Sequence, residues 1–224
     1  MPRLKPDTQR ARRAHILDAA ETCFARAGFH RTTMQDICTE AGVSPGALYV
    51  YFRSKEDLIA GLAERDRAQF QNRFEGIADA PDFMQALATI GESYFVGDPV
   101  RKQRMCAEIG IESTRNETVG VIFRNVDQHI ASSFEQLFDR LNREGRIKPE
   151  FPPPVLARLL SVVGDGMMWR RAVDPDFDAA SLMPAVVKLV GMMLGQPVTE
   201  TASPNPADSS SGTATRRPFE DAAR

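Results

Sequence analysis

The side chains in this sequence that are best suited to chemistry can donate hydrogen bonds to phosphate groups, and they cluster within residues 44–55. These hydroxyl and ammonium groups belong to Ser44, Tyr49, Tyr51 and Lys55. Gly46 and Ala47 lie among them, and their small side chains allow the backbone to approach another surface closely. Such donors on a small-residue helix are typical of contacts with the sugar-phosphate backbone of DNA, in which the helix occupies the major groove.

The sequence does not indicate catalytic chemistry. It has no GxSxG, P-loop, HExxH or Rossmann glycine pattern. Acid pairs such as Glu108 and Glu112 are i, i+4 neighbours and are typical of a solvated helix face. The three histidines, His15, His30 and His129, lie on separate predicted segments, which gives a metal site little support. We therefore expect a protein that is not an enzyme and that has no metal site or cofactor.

Capping residues predict the helices that carry the donors. Thr33 begins a helix with Asp36 as its capping-box partner, and Gly42 ends it in a left-handed conformation. Ser44 then caps a second helix, in which Pro45 occupies the first turn. Two short helices joined by a Gly-Val-Ser turn outline a helix-turn-helix.

The second of these helices is expected to run from Pro45 to Phe52, and Ser54 begins the next one by the same capping logic. An ordinary helical hairpin is the alternative interpretation. In that case Leu48 and Phe52 are core residues, and the two tyrosines belong to an amphipathic surface without a partner.

The DNA-binding signature of the tetracycline-repressor (TetR) family closely resembles the run TTMQDICTEAGVSPGALYVYFRSKEDL. The matching positions are Thr32, Thr33, Ile37, Ala41, Gly42, Val43, Ser44, Gly46, Leu48, Tyr49, Phe52 and residues 54–58. The family often has histidine before the phenylalanine, where this chain has Tyr51, which can still donate to a phosphate. With the preceding helix, the resemblance covers about residues 10–60.

Charge and composition divide the chain into three parts. Residues 1–55 carry a net charge of +4, residues 56–196 carry −5 and residues 197–224 carry −1. A basic head can face phosphates, although charge blocks also occur on ordinary solvated faces. We predict an all-α fold of about nine helices. It comprises a three-helix helix-turn-helix DNA-binding domain with a basic arm (1–55), a helical effector-binding and dimerisation domain (56–196) and a disordered tail (197–224).

The first long helix is expected to begin at Asp7 and to stop at Gly28. Its outer end carries Arg10 and Arg13, which could reach phosphates or a minor groove, or could simply form a solubilising terminus. The predicted DNA-contact set is Arg10, Arg13, Thr32, Thr33, Ser44, Pro45, Gly46, Ala47, Tyr49, Tyr51 and Lys55.

The last two predicted helices favour self-association. Residues 155–173 are strongly apolar, and residues 179–194 are apolar on nearly all sides. A helix that is apolar all round needs more than one neighbour to cover it. We infer a homodimer through residues 155–173 and 179–195, as the resemblance also implies. The alternative is a central core helix of a monomer.

Large, adaptable apolar residues on neighbouring predicted helices favour a binding cavity, and the nine methionines fit a pocket that accepts varied shapes. The predicted effector-contact set is Met105, Glu108, Ile109, Glu112, Phe123, Asp165, Met168 and Trp169. Plain core packing would explain any single member of this set. The resemblance implies a C-terminal domain that binds a small molecule between its helices.

The resemblance implies a ligand-responsive repressor that binds a palindromic double-stranded DNA operator as a homodimer and is released by a small apolar effector. The resemblance suggests drug-efflux or catabolic genes as targets, and the apolar, methionine-rich interior slightly favours efflux. The alternatives are a ligand-independent or activating regulator, and a helical enzyme or adaptor. The sequence shows no secretory signal and no apolar stretch long enough to cross a bilayer, so we expect a cytoplasmic protein that does not bind membranes. Three widely spaced cysteines without a CxxC motif are expected to be buried thiols.

Overall fold

The structure, a computed structural model, describes residues 6–196, and all regular structure in that range is helical. Its α-helices are α1 (Pro6–Arg31), α2 (Met34–Ala41), α3 (Pro45–Tyr49), α4 (Lys55–Phe74), α5 (Phe83–Glu92), α6 (Val100–Glu112), α7 (Glu117–Arg143), α8 (Pro153–Val173) and α9 (Ala179–Met193). A 3-10 turn follows α4 at Ile77–Asp79, and a π-helical turn extends α5 at Ser93–Gly97. The predicted all-α fold is confirmed. The predicted disordered tail lies outside the described residues, as does the start of the basic arm.

The predicted capping residues begin the helices of the N-terminal region. The Thr33 hydroxyl accepts from the backbone N–H of Asp36 at 3.1 Å, and the Asp36 carboxylate accepts from the backbone N–H of Thr33 at 2.8 Å. Gly42 ends α2 with a φ of 59°, a left-handed conformation that glycine adopts with little strain. The Ser44 hydroxyl accepts from the backbone N–H of Ala47 at 3.3 Å at the start of α3. The Gly42 and Ser44 caps fix the turn between α2 and α3, and the Thr33 cap fixes the start of α2.

Helix α3 is shorter than predicted, because it ends at Tyr49 instead of Phe52. The backbone N–H of Tyr51 donates to the carbonyl of Leu48 only three residues back, at 2.9 Å. This tighter bonding turns the chain away from the α-helical path.

The predicted helix stop at Gly28 is an interruption within α1. Gly28 has φ 76° and ψ 170°, a conformation far from helical, and a short helical segment then continues to Arg31. Across this break, the Thr32 hydroxyl lies 3.1 Å from the carbonyl oxygen of Cys23 and 2.7 Å from that of Gly28. The hydroxyl thus adds a donor at the break, beside the backbone N–H of Thr32, which donates to the Gly28 carbonyl at 3.3 Å.

The core around the helix-turn-helix extends into the body of the molecule. Helices α1 to α4 bury a contiguous apolar cluster, in which Ile16 and Phe24 of α1 lie with Ile37, Leu48 and Phe52. Met105 of α6 and Val119 of α7 belong to the same cluster. The helix-turn-helix therefore shares buried contacts with the helices behind it.

A second cluster of buried apolar residues stabilises the end of the body that lies away from the helix-turn-helix. Its buried members are Ile77, Phe83, Ile90, Leu137, Phe138, Leu141, Ile147, Leu156, Val190 and Leu194. These residues come from α5, α7, α8, α9 and the loops between them, so packing between distant segments of the sequence fixes the C-terminal end of the molecule.

Candidate DNA-binding surface and ligand cavity

Helix α3 presents one polar face to solvent and buries the opposite one. Leu48 is fully buried, whereas Tyr49 is 50% exposed and Ser44, Pro45 and Gly46 are exposed. A Cβ added to Gly46 would meet no atom within 4 Å, so the backbone is open to another surface there. This exposed face can enter a groove of DNA without any change in the core.

Other predicted contact residues are less accessible. Ala47 and Tyr51 are half-buried, and the Tyr51 ring packs against the core of the N-terminal region. Thr33 is exposed, but its hydroxyl donates to the Asp36 carboxylate at 2.7 Å as part of the helix cap. A phosphate contact by that hydroxyl would compete with the cap.

The prediction that Thr32 contacts DNA is wrong. Thr32 is 1% exposed, and its hydroxyl donates to carbonyl oxygens at the break in α1. A buried side chain whose only donor is already used cannot reach a phosphate.

The ammonium group of Lys55 also makes contacts within the protein that stabilise the fold. It donates to the carbonyl oxygen of Phe29 and lies 4.2 Å from the centroid of the Phe29 ring, with the carbonyl of His30 at 3.5 Å. Burial lowers the pKa of Lys55. These contacts tie the start of α4 to the end of α1. A phosphate contact by the Lys55 ammonium would compete with these contacts, and it stays a prediction.

The two predicted arginine contacts differ in their surroundings. The Arg13 guanidinium pairs with Glu64 at 2.6 Å and lies 5.4 Å from the centroid of the Phe52 ring, so it joins α1 to α4. Among the described residues, Arg10 forms an ion pair with Asp7, and both side chains are largely exposed. Exposed pairs contribute little stability and exchange readily, so Arg10 remains available to a phosphate.

Arg53 is a candidate contact that the sequence reasoning missed. Its side chain is exposed, and its guanidinium has no ion-pair partner within residues 6–196. The backbone N–H of Arg53 donates to the Asp57 carboxylate at 2.9 Å, which fixes the chain just before α4. Its position next to the cap residue Ser54 was a signal that could have identified it.

A cavity of about 340 Å³ lies in the body of the molecule, between helices α4 to α9. Five of the eight predicted effector contacts line it: Met105, Ile109, Phe123, Asp165 and Met168. Burial raises the pKa of Asp165, and the neighbouring charge of Asp127 raises it further. The lining is predominantly apolar, as is common for sites that bind small molecules.

The three other predicted effector contacts lie away from the cavity. Glu112 is 2% exposed at the end of α6, where His30 lies 2.9 Å and Arg115 2.7 Å from its carboxylate. Glu108 lies against Gly28, since a Cβ added there would be 2.7 Å from its carboxylate oxygen. Trp169 is exposed on α8. Both glutamates therefore join α6 to the end of α1, and none of the three lines the cavity.

The polar end of the cavity was not predicted. Lys102 donates to Asp98 at 3.0 Å, and its ammonium lies 3.4 Å from Asp66. Burial raises the pKa of Asp66. Burial disfavours the charged form of Lys102, but the carboxylates of Asp66 and Asp98 outweigh it and raise its pKa. The i, i+4 spacing of Asp98 and Lys102 was the available signal in the sequence.

Within residues 6–196, no three His, Cys, Asp or Glu side chains are grouped in a way that could hold a metal ion. In the same range, no helix combines the length and the apolar character needed to cross a bilayer.

An exposed short helix after a tight turn, joined to a helical body with a cavity, defines a DNA-binding transcriptional regulator. The pattern described as "Bacterial regulatory proteins, tetR family" matches residues 16–62. The HTH-type transcriptional regulator UidR of Escherichia coli (strain K12) is 30% identical over 152 residues, which are 66% of this chain and 75% of UidR. The chain belongs to the TetR family of bacterial regulators, and it is a transcriptional regulator, not an enzyme.

Two further comparisons agree with this assignment. The HTH-type transcriptional repressor Rv1474c of Mycobacterium tuberculosis (strain ATCC 25618 / H37Rv) is 31% identical over 189 residues, which are 79% of this chain and 90% of that protein. The structure of Salmonella enterica GusR has a TM-score of 0.70 and 26% identity, and the match covers 82% of this chain and 95% of GusR.

Proposed function

We propose that the chain is a repressor that binds a palindromic operator as a homodimer and releases it when a small, largely apolar effector enters the cavity. The path of α4 is the observation that carries this proposal. Leu58, Ile59 and Leu62, in its first half, are buried in the core around the helix-turn-helix. Asp66 and Phe70, one to two turns further along, line the cavity. A single helix therefore touches both sites.

A ligand can act through α4 only if it binds one arrangement of the helices more tightly than the other. The pairs between Glu112 and His30 and between Glu21 and Arg101 also join α6 to α1, at 2.9 Å and 3.1 Å. Helix α6 lines the cavity as well. A ligand that shifts α4 or α6 would therefore change the position of the helix-turn-helix.

Exposed apolar side chains on the last two long helices support the homodimer. The most exposed is Val162, at 61%. The others on α8 and α9 are Val155, Leu159, Trp169, Val173, Leu182, Leu189 and Met192. Apolar residues concentrated on adjacent helices favour an interface, because isolated exposed ones need no partner but a patch usually has one. In the proposed dimer, two copies of α3 lie in successive major grooves, about 34–36 Å apart.

Repression is favoured over activation because the relative Rv1474c is described as a repressor. Control of efflux-pump genes stays a prediction of the sequence analysis. The predominantly apolar lining of the cavity suits lipophilic compounds of the kind that such pumps export.

Selection from a pool of random DNA duplexes tests the DNA-binding part of the proposal. The purified chain should enrich an inverted repeat, and its affinity for that repeat should fall steeply as salt rises, because phosphate contacts release counterions. Failure to enrich any sequence at low salt would contradict the proposal.

The ligand response is tested on the enriched duplex. Apolar compounds that raise the melting temperature of the free protein should also weaken its binding to the duplex, because the two ligands favour different states. If such compounds bind the protein but leave its DNA affinity unchanged, the chain is a ligand-independent regulator.

A further inference from the structure

Two oxygen atoms at the polar end of the cavity lack a hydrogen-bond donor among the residues that the structure describes. Asp66 Oδ1 is buried, and although Lys102 Nζ lies 3.4 Å away, the two atoms do not form a hydrogen bond. Gln103 is only 4% exposed, and its Oε1 is also buried without a partner. Both residues line the cavity.

A hydrogen bond made by the amide nitrogen of Gln103 shows that the atom without a partner is the amide oxygen. Gln103 Nε2 donates to the backbone carbonyl oxygen of Tyr94 at 3.0 Å. Turning the amide around would place two oxygen atoms against each other, which is unfavourable. The atom left without a partner is therefore an acceptor.

The Lys102 ammonium, the cation at this end of the cavity, is shared by the carboxylates of Asp66 and Asp98. The Lys102 ammonium donates to Asp98 Oδ2 at 3.0 Å, and Asp98 Oδ1 accepts from Arg73 at 3.3 Å. Arg73 Nη1 is also buried without a partner, but Arg73 does not line the cavity. Among the residues that the structure describes, none donates a hydrogen bond to Gln103 Oε1 or Asp66 Oδ1, so a molecule inside the cavity can supply the donor.

The remaining wall of the cavity is suited to an apolar body. It includes Leu87 of α5, Phe134 of α7 and Val187 of α9. Cys106 also lines the cavity, and burial raises the pKa of its thiol to about 12, so the thiol is neutral at pH 7. The site thus combines apolar walls with two acceptors at one end.

We infer that the effector has an apolar body with hydrogen-bond donors at one end (hydroxyl, amide or amine groups) and that Asp66 Oδ1 and Gln103 Oε1 accept from them. The inference rests on the proposed function, since it takes the cavity to be the effector site. A molecule of the same shape without a donor would displace water from both oxygens and leave them unpaired, so it would bind more weakly.

A matched pair of probes tests this inference. Isothermal titration calorimetry on the full chain compares 4-butylphenol with 4-butylanisole, in which a methyl group replaces the phenolic proton. The phenol should bind at least about tenfold more tightly, because only the phenol can donate to the acceptors.

Two variants separate the hydrogen bond from the shape of the probe. Gln103→Met keeps the length of the side chain but removes the acceptor, and it should reduce the preference for the phenol to less than about threefold. The control Met168→Leu changes the apolar lining at nearly constant volume, and it should leave the preference as in the wild type. A preference that survives in Gln103→Met would mean that the phenol does not donate to Gln103 Oε1, which would overturn the assignment of Gln103.

The outcomes also separate this inference from the function beneath it. If the wild-type protein binds the two probes equally well, water satisfies the acceptors and the inference is overturned, while the cavity remains a ligand site. If neither probe binds at millimolar concentration, the effector site of the proposed function fails, and the inference fails with it.

Discussion

The side chain of Tyr49 is exposed on α3, whereas its neighbour Leu48 is buried in the core. A substitution at Tyr49 can therefore test DNA binding without changing the core. Tyr49→Ala should weaken binding to the selected duplex by about three- to tenfold, because one phosphate or groove contact is lost. The melting temperature should change little, since exposed substitutions rarely alter stability. Fluorescence anisotropy and thermal melting measure the two quantities.

Phe151 offers a matched control for Tyr49, since it is a similarly exposed aromatic residue outside the helix-turn-helix. Phe151→Ala should leave DNA binding as in the wild type. Wild-type affinity in Tyr49→Ala would remove this tyrosine from the contact set.

Thr32 should behave in the opposite way, because its hydroxyl is buried at the break in α1. Thr32→Val should lower the free energy of unfolding by about 1–3 kcal/mol, since it removes the buried hydrogen bonding of the Thr32 hydroxyl to the carbonyl oxygens of Cys23 and Gly28. Urea denaturation measures the loss. The control is Thr39→Val, an exposed change in α2 that removes a hydroxyl bonded at 3.0 Å to the carbonyl of Gln35. Equal effects of the two substitutions would contradict the structural role of Thr32.

Asp36 gives the N-terminal region a pH dependence with a defined sign. Hydrogen bonds from the side chain and backbone of Thr33 lower the pKa of Asp36 below its usual 3.8. A lowered pKa in the folded state means that the stabilisation is complete well above pH 3.8 and is lost as the pH falls below it. Wild type should therefore melt higher than Asp36→Asn at pH 7, and the difference should shrink toward pH 3. A difference that grows on acidification would contradict this sign.

The sequence indicates which side chains can donate hydrogen bonds, but it does not indicate which of them donate to acceptors within the folded protein. Tyr49 and Thr32 lie in the same matching run, yet one is half exposed and the other is sealed beneath α1. Lys55 is likewise engaged by carbonyls at the end of α1, 25 and 26 residues away in sequence. Such long-range partners depend on the packing of α1 against α4, which local spacing does not encode.

At the scale of the helices, substitutions at two glycines with positive φ can distinguish the cost of backbone strain from the cost of a steric contact. Gly28 and Gly42 have φ of 76° and 59°, but only at Gly28 would a Cβ meet another group, the Glu108 carboxylate at 2.7 Å. Gly42→Ala should cost about 1 kcal/mol of left-handed strain. Gly28→Ala should cost about 2–3 kcal/mol, because its conformation is nearly exclusive to glycine and Glu108 must also move.

Denaturant unfolding of the two glycine variants gives both free energies, and the double variant Gly28→Ala/Glu108→Ala identifies the share due to the contact. Equal costs at the two glycines would show that the approach of α6 to the end of α1 does not constrain the fold.

Helix starts were predictable, whereas helix ends were less so. Thr33, Ser44 and Ser54 cap within three residues of their own position, so the signal is local. The early end of α3 comes from a change in backbone hydrogen bonding at Leu48, and no residue type in the sequence marks it.

On the scale of the whole molecule, the sequence predicted part of the apolar lining of the cavity but not its polar end. Met105, Ile109 and Phe123 were predicted as apolar lining from their size, and they do line the cavity. Asp66 and Gln103 were not predicted, because their role depends on helices α4 and α6 meeting at one end. Glu112 looked like a polar group for a ligand, but it binds the end of α1 instead.

The exposed apolar side chains of α8 and α9 should govern assembly of the whole molecule. Val162→Glu should shift the free protein from dimer toward monomer, because a charge buried in an apolar interface is costly. Analytical ultracentrifugation measures the change, and Val121→Glu on α7, also at an exposed valine, is the matched control. A monomer produced equally by both substitutions would point to misfolding instead of a specific interface.

The central claim is that two copies of α3 read DNA together. Native mass spectrometry of the complex with the selected duplex tests this claim most directly. We predict that two chains of 24.8 kDa each will be bound to one inverted repeat, with no stable complex that contains a single chain. A complex of one chain with one half-site, at the affinity measured for the full repeat, would contradict the account.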